Sequence, residues 1–272
     1  MAITKQNRVD FVGGVARLSL WHLARQKPTP EGWYPLLTGK SPLFRLSLFW
    51  DGHSAPPVDT PDSAPPEWVA VASDVATLHQ SHKPDSDTLT FEEAGLLLVW
   101  PLLEPRISED VERWPWLPSC LGSEPPEAGI FGFFLYEFDP GDPNHVILHM
   151  GNSLAPESPF AEPSARAREL LALLDDALTR NPSATRISST SWLNCFEPFQ
   201  RFFPPEWVHS AVASPPGYTY DWWGQFVSRR GAFHGANGDH LRKTGQFPYP
   251  SVTCSAQIAS VREHLTTSVT LS

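Results

Sequence analysis

Residues 130–193, IFGFFLYEFDPGDPNHVILHMGNSLAPESPFAEPSARARELLALLDDALTRNPSATRISSTSWL, decide the fold. The run 130–138 (IFGFFLYEF) is aromatic and aliphatic, the composition of a strand in a sheet core. Residues 139–144 (DPGDPN) are dense in Pro, Gly, Asp and Asn and read as a turn. A second strand, 145–150 (HVILHM), is broken by Gly151 and Asn152. A loop with Pro156, Pro159 and Pro163 leads into a helix over 164–179, capped by Ser164. Its apolar stripe is Ala167, Leu170, Leu171, Leu174 and Leu178. Asn181 and Pro182 end the helix, and 186–193 (RISSTSWL) returns as a strand. Strand, helix and strand in this order make a crossover, so 186–193 is expected parallel to 145–150. The first two strands are expected antiparallel, with the 139–144 turn exposed. Ligands gather at the carboxyl ends of such parallel strands, which here brings 150–153 opposite 191–194.

A hairpin followed by a crossover resembles the middle of the GNAT-type N-acetyltransferase fold. The words FGFFLYEF, HVILHMGNSLAPES, ARARELL, ISSTSWL and FQRFFPPEW also resemble an acyltransferase family with a GNAT-like C-terminal domain. Upstream, Asp74, Val75 and 95–100 match, and downstream 239–245 (DHLRKTG) does, so that scattered words cover about two-thirds of the chain. The resemblance implies transfer of an acyl group from acyl-CoA, a co-substrate not held tightly, to a small amine or hydroxyl acceptor. It makes His149 the general base that deprotonates the acceptor, and His240 a second catalytic candidate. It makes the backbone of Met150, Gly151, Asn152 and Ser153 the cradle for the pantetheine arm. The loop 151–164 departs from the family's Arg/Gln-x-x-Gly-x-Gly/Ala phosphate loop: it has one glycine, and Glu157 and Glu162 repel phosphate. Arg166 and Arg168 are the nearest cations to any phosphate bound there.

The 272-residue length fits one large domain or two small ones, and 41% hydrophobic residues with eleven tryptophans argue for a packed core. A formal charge of −10 without a basic cluster excludes a nucleic-acid surface. The longest apolar run, 95–103, is half a membrane span and contains Pro101, so no membrane association is expected. The start MAITKQNRVD has no apolar signal-peptide region, and three scattered cysteines form neither a zinc pattern nor a disulfide framework. A cytoplasmic protein acting on a small molecule is the expectation.

The fold class expected is α+β, a mainly helical region at 1–125 followed by a GNAT-like mixed-sheet region at 126–272. Helices are expected at 11–26 with Asp10 as cap, at 67–79, and at 90–103 with a Thr90–Glu93 capping box. Residues 42–50 are ambiguous, 52–66 read as a Pro-, Ser- and Asp-rich loop, and 114–128 as irregular.

Other residue patterns carry chemistry. His145 and His149 are four apart on a strand and therefore share a face. With His234 or His240 they could ligate a metal, and alone they read as a surface and a cleft histidine. Ser191, beside Trp192, is a nucleophile candidate lacking any Gly-x-Ser-x-Gly elbow. Cys195 reads as an inert thiol. The segment 218–247 concentrates Trp222, Trp223, Gln225 and His234, the mixture of rings and polar tips that lines small-molecule pockets, with Tyr136 and Trp192 as further walls. Two rivals to acyl transfer remain. One is a repurposed scaffold for a lyase, cyclase or isomerase step on a hydrophobic substrate, with or without metal. The other is a non-catalytic binding protein.

Overall fold

The structure, a computed structural model, describes residues 4–25, 66–82, 88–107, 130–151, 157–213 and 224–270. The sequence features at 42–50, 52–65 and 114–128 lie outside them. In chain order the helices are α1 (Lys5–Ala24), α2 (Pro66–Ser81), α3 (Thr88–Ile107), α4 (Pro163–Arg180), α5 (Glu197–Gln200), α6 (Pro205–His209), α7 (Gly235–Thr244) and α8 (Ile258–Thr270). The strands are β1 (Ile130–Phe131), β2 (Phe134–Asp139), β3 (Asp142–Met150), β4 (Arg186–Ser191), β5 (Val212–Ala213) and β6 (Val252–Gln257). The class is α+β, with helices first and a mixed sheet in the C-terminal half.

Two compact units divide the chain, and the first is discontinuous: residues 1–114 with 217–248, against 115–216 with 249–272. The expected division at 125 left 217–248 with the C-terminal region, whereas here that segment groups with the N-terminal helices. In that unit α1 begins at Lys5, earlier than expected, because Thr4 and not Asp10 caps it. Asn7 N donates to Thr4 Oγ1 while Thr4 N donates to Asn7 Oδ1, a reciprocal box. Helix α3 begins at Thr88, so Thr90 and Glu93 lie inside it, as do Pro101 and Pro105. Phe11, Val15, Leu18, Phe91, Val99, Leu103, Phe226 and Leu241 share one buried cluster. The ring of Phe233 closes it between two glycines: a Cβ on Gly14 would lie 2.3 Å from Phe233 Cγ, and one on Gly238 2.6 Å from Phe233 Cζ.

The second unit carries a six-stranded sheet in the order β1-β2-β3-β4-β6-β5. The expected strand at 130–138 is in fact two. Gly132 sits at φ 60°, turning the chain so that β1 pairs back on β2. Strands β2 and β3 pair antiparallel, and Pro140 and Gly141 at their turn are exposed. Strands β3 and β4 pair parallel through α4, as the crossover requires. Helix α4 starts at Pro163, whose fixed φ suits the first helical position; its cap is Glu162 without a side-chain bond, not Ser164. Its buried stripe is Ala167, Leu170, Leu173, Leu174 and Ala177, while Leu171 and Leu178 are only partly buried. The stripe is rotated from the expected one because α4 packs on both the sheet and α8. Each fully buried leucine there contributes about 2 kcal/mol. Tyr136 reaches across from β2, and its hydroxyl donates to Asp176 on α4 at 2.6 Å.

Candidate functional site: a divergence of two parallel strands

Strand alternation and register assign every side chain near the ends of β3 and β4. Parallel pairing joins His145 to Arg186, Val146 to Ile187 and Ile147 to Ser188, and goes no further. Strand β3 continues to Met150 paired with β2, where Phe134 opposes Met150. Strand β4 continues to Ser191 paired with β6, where Ser191 opposes Val252. Residues 148–150 and 189–191 therefore part from each other, each held by its outer neighbour. On the β4 side the opening is braced by buried Asn194. Its Nδ2 donates to Ser189 O and Val252 O, and its Oδ1 accepts from Ser189 Oγ and Trp207 Nε1. On the β3 side Gly151 N donates to Phe133 O at 2.9 Å. Phe160 spans the two sides, its ring 5.7 Å from Phe133 and 5.5 Å from Phe196. Trp192 packs on Tyr249.

The first turns of α4 reach the same end of β3. Glu169 Oε2 accepts from Phe133 N at 3.1 Å, and Glu169 Oε1 accepts from Arg166 Nη2 at 2.6 Å. Arg166 is 5% exposed, and its Nε and Nη1 are buried without a hydrogen-bond partner among the described residues. A buried guanidinium with two unsatisfied donors is an unfavourable arrangement that an incoming anion would relieve. Of the two cations expected near a bound phosphate, Arg166 and Arg168, only Arg168 is exposed.

The sheet face turned away from α4 carries polar side chains beside Leu135 and Ile147. His145 and His149 do share it, each beside a carboxylate from β2. His149 Nε2 lies 3.0 Å from Glu137 Oε1, and His145 Nδ1 lies 3.1 Å from Asp139 Oδ2. His145 Nε2 lies 2.7 Å from Ser188 Oγ on β4, and Arg186 Nη2 lies 3.2 Å from His145 Nδ1. Asp139 Oδ1 accepts from Gly141 N; that bond, then the His145 side chain, holds the Asp139 carboxyl below its ordinary range. His145 is buried, not the solvent-facing strand start expected of it.

The other predicted residues separate. Ser191 points to the α4 face and His149 to the opposite one, because their positions have opposite parity in the sheet. Ser191 Oγ accepts from Leu193 N and caps the 3-10 turn Trp192–Cys195, which ends β4 two residues earlier than expected. Tyr136 also faces α4, and burial, then its bond to Asp176, pushes its phenol well up. Met150 ends β3 and Gly151 follows it, whereas Asn152 and Ser153, like Trp222 and Trp223, lie outside the described residues. Gln225, His234 and His240 belong to the first unit. Gln225 is buried, with its carbonyl accepting from Asn237 Nδ2. His234 caps α7, its Nδ1 accepting from Asn237 N, and His240 is exposed on that helix. In the neighbouring word, Leu241 is core and Arg242 makes a two-point ion pair with buried Glu92, so this word holds the helices together. Among the described residues no three His, Cys, Asp or Glu side chains gather as a metal ion needs. Cys195 and Cys254 are pushed up by burial, Cys254 to about 11, the wrong direction for a nucleophile.

In comparisons with known proteins, no family model, curated protein or solved structure matches this chain. Glu137, Asp139 and Ser188 were missed by reading the sequence. Period-2 parity on 134–139 and 186–191 was the available signal, but the hairpin register was needed to aim it.

Proposed function

We propose that this chain is an acyltransferase that moves an acyl group from a thioester donor, acyl-CoA, to a small amine or hydroxyl acceptor. The observation that carries the reading is the parting of β3 and β4 after the Ile147–Ser188 pair. A wedge between two parallel strands leaves main-chain groups of Leu148 and Met150 turned towards it, since His149 pairs with Leu135 on β2, and the amide-bearing pantetheine arm can pair with such an edge as an added strand. Arg166, with two unsatisfied donors at the start of α4, supplies the cation for the donor's phosphates. It offsets the exposed acids Glu157 and Glu162, which repel them. The Glu137–His149 pair supplies the base: its imidazole takes the proton from the acceptor amine or hydroxyl as that atom attacks the thioester carbonyl.

Thermal unfolding in the presence of acetyl-CoA and a longer acyl-CoA tests the reading. Saturating acyl-CoA raises Tm, as any ligand of the folded state does. Arg166→Gln lowers the affinity at least about tenfold, since a hydrogen bond to a charged group is worth about 1.5–3 kcal/mol. A well-folded protein whose Tm no acyl-CoA moves contradicts the proposal.

A further inference from the structure

We propose that Asp139, His145 and Ser188 form a nucleophile array in which Ser188 Oγ accepts an acyl group from an activated ester or thioester. The three side chains lie on one face of β2, β3 and β4. Distances are 3.1 Å from Asp139 Oδ2 to His145 Nδ1 and 2.7 Å from His145 Nε2 to Ser188 Oγ. A hydroxyl within hydrogen-bond reach of an imidazole whose other nitrogen is held by a carboxylate is the geometry by which serine is made nucleophilic. Both His145 and Ser188 are 8% exposed, so the bond between imidazole and hydroxyl is shielded from water, whereas the Asp139 carboxylate at the far end of the array is partly exposed. Ser188 is also the last β4 residue paired with β3, at the root of the wedge.

Asp139 determines which way the chain of hydrogen bonds runs. Its second oxygen is fixed by Gly141 N at 2.8 Å, which aims Oδ2 at His145. With the Nδ1 proton held there, Nε2 carries the lone pair that accepts the Ser188 proton. Arg186 Nη2, 3.2 Å from the same Nδ1, has only protons to give and would favour the opposite tautomer. The carboxylate is therefore the positioning residue, and Arg186 is not required.

Ser188 Oγ attacks the acyl carbonyl carbon, and its proton passes to His145 Nε2. The bond from that carbon to the thiolate or alkoxide breaks, and the leaving group takes the proton from Nε2, leaving an acyl-serine ester. An amine, hydroxyl or water then attacks the ester through the same imidazole and restores Ser188. This chemistry stands apart from the acyl-CoA reading, because any small activated ester can load the serine.

The test uses the full-length chain and a small fluorophosphonate, which phosphonylates activated serines with loss of fluoride. Intact mass and peptide mapping should give a single adduct, on Ser188. Ser188→Ala should give none, and His145→Gln should react at least 100-fold more slowly, within the range a general base supplies. Asp139→Asn should be slowed comparably by holding the wrong tautomer. Thr253→Ala, on the same sheet face but on β6, should label at the wild-type rate. Far-UV circular dichroism keeps unfolding separate from loss of the nucleophile. No adduct on the folded wild-type protein, an adduct that survives Ser188→Ala, or wild-type labelling in folded His145→Gln overturns the proposal. None of these outcomes bears on whether acyl-CoA raises Tm.

Discussion

Glu92 is 1% exposed and carries a charge that only Arg242, bound through both carboxylate oxygens, compensates among the contacts described. Removing one partner of a buried pair leaves the other stranded, whereas replacing both with apolar side chains can be nearly neutral. Arg242→Ala should therefore lower the unfolding free energy by about 3 kcal/mol in urea, and Glu92→Leu/Arg242→Met should recover most of it. A pH-dependent counterpart is His22. Burial, then the nearby Arg25 charge, pushes it from 6.5 down to about 4. Its pKa is lower folded than unfolded, so the unfolded chain takes the proton first. Stability is lost as pH falls from about 6.5 towards 4 and no further loss from this group occurs below. The magnitude is on the order of 2–3 kcal/mol, and His22→Gln should remove that part of the wild-type slope in matched denaturation series. At this scale the sequence was partly legible. A four-residue spacing was enough to put His145 and His149 on one face. Their partners were not visible, because Glu137 and Asp139 reach them only through the hairpin register, and Ser191 looked more prominent than Ser188 merely by ending the strand.

Gly132 shows what decides an element. An aromatic run that reads as one strand is divided by a single residue at φ 60°, where a side chain is strained, and its Cβ would fall 2.2 Å from Glu169 Cδ. Glu169 cannot easily withdraw, since it accepts from Phe133 N and Arg166 Nη2. Gly132→Ala should cost about 2 kcal/mol or more, with an unchanged denaturant slope; a neutral substitution would mean that Glu169 is not pinned. The crossover itself was legible, because the distance between 150 and 186 and the helix within it leave a parallel return as the natural connection. The facing of α4 was less so. Leucines at 170, 171, 173, 174 and 178 offer several stripes, and contact with both sheet and α8 selected the one through Leu173 and Ala177.

On the scale of the whole molecule, the chain leaves its first unit and returns to it. Phe226 and Leu241 complete the helical core, and Arg242 reaches Glu92 across 150 residues of sequence. No local pattern encodes such a separation, which is why a boundary near 125 looked sufficient. Excision of 217–248 with a short Gly/Ser joint should leave residues 115–272 able to fold, whereas the unexcised fragment 126–272 should aggregate through exposed Phe226 and Leu241; circular dichroism and size exclusion distinguish the two. In the other unit, acyl-CoA is expected to bind at the wedge between β3 and β4. Amide hydrogen exchange with and without acyl-CoA tests it most directly. Binding should slow exchange at residues 148–151 and 189–191, on both edges where β3 and β4 part, and at the start of α4 around Arg166. Protection confined to other segments, or none at saturating acyl-CoA, would contradict it.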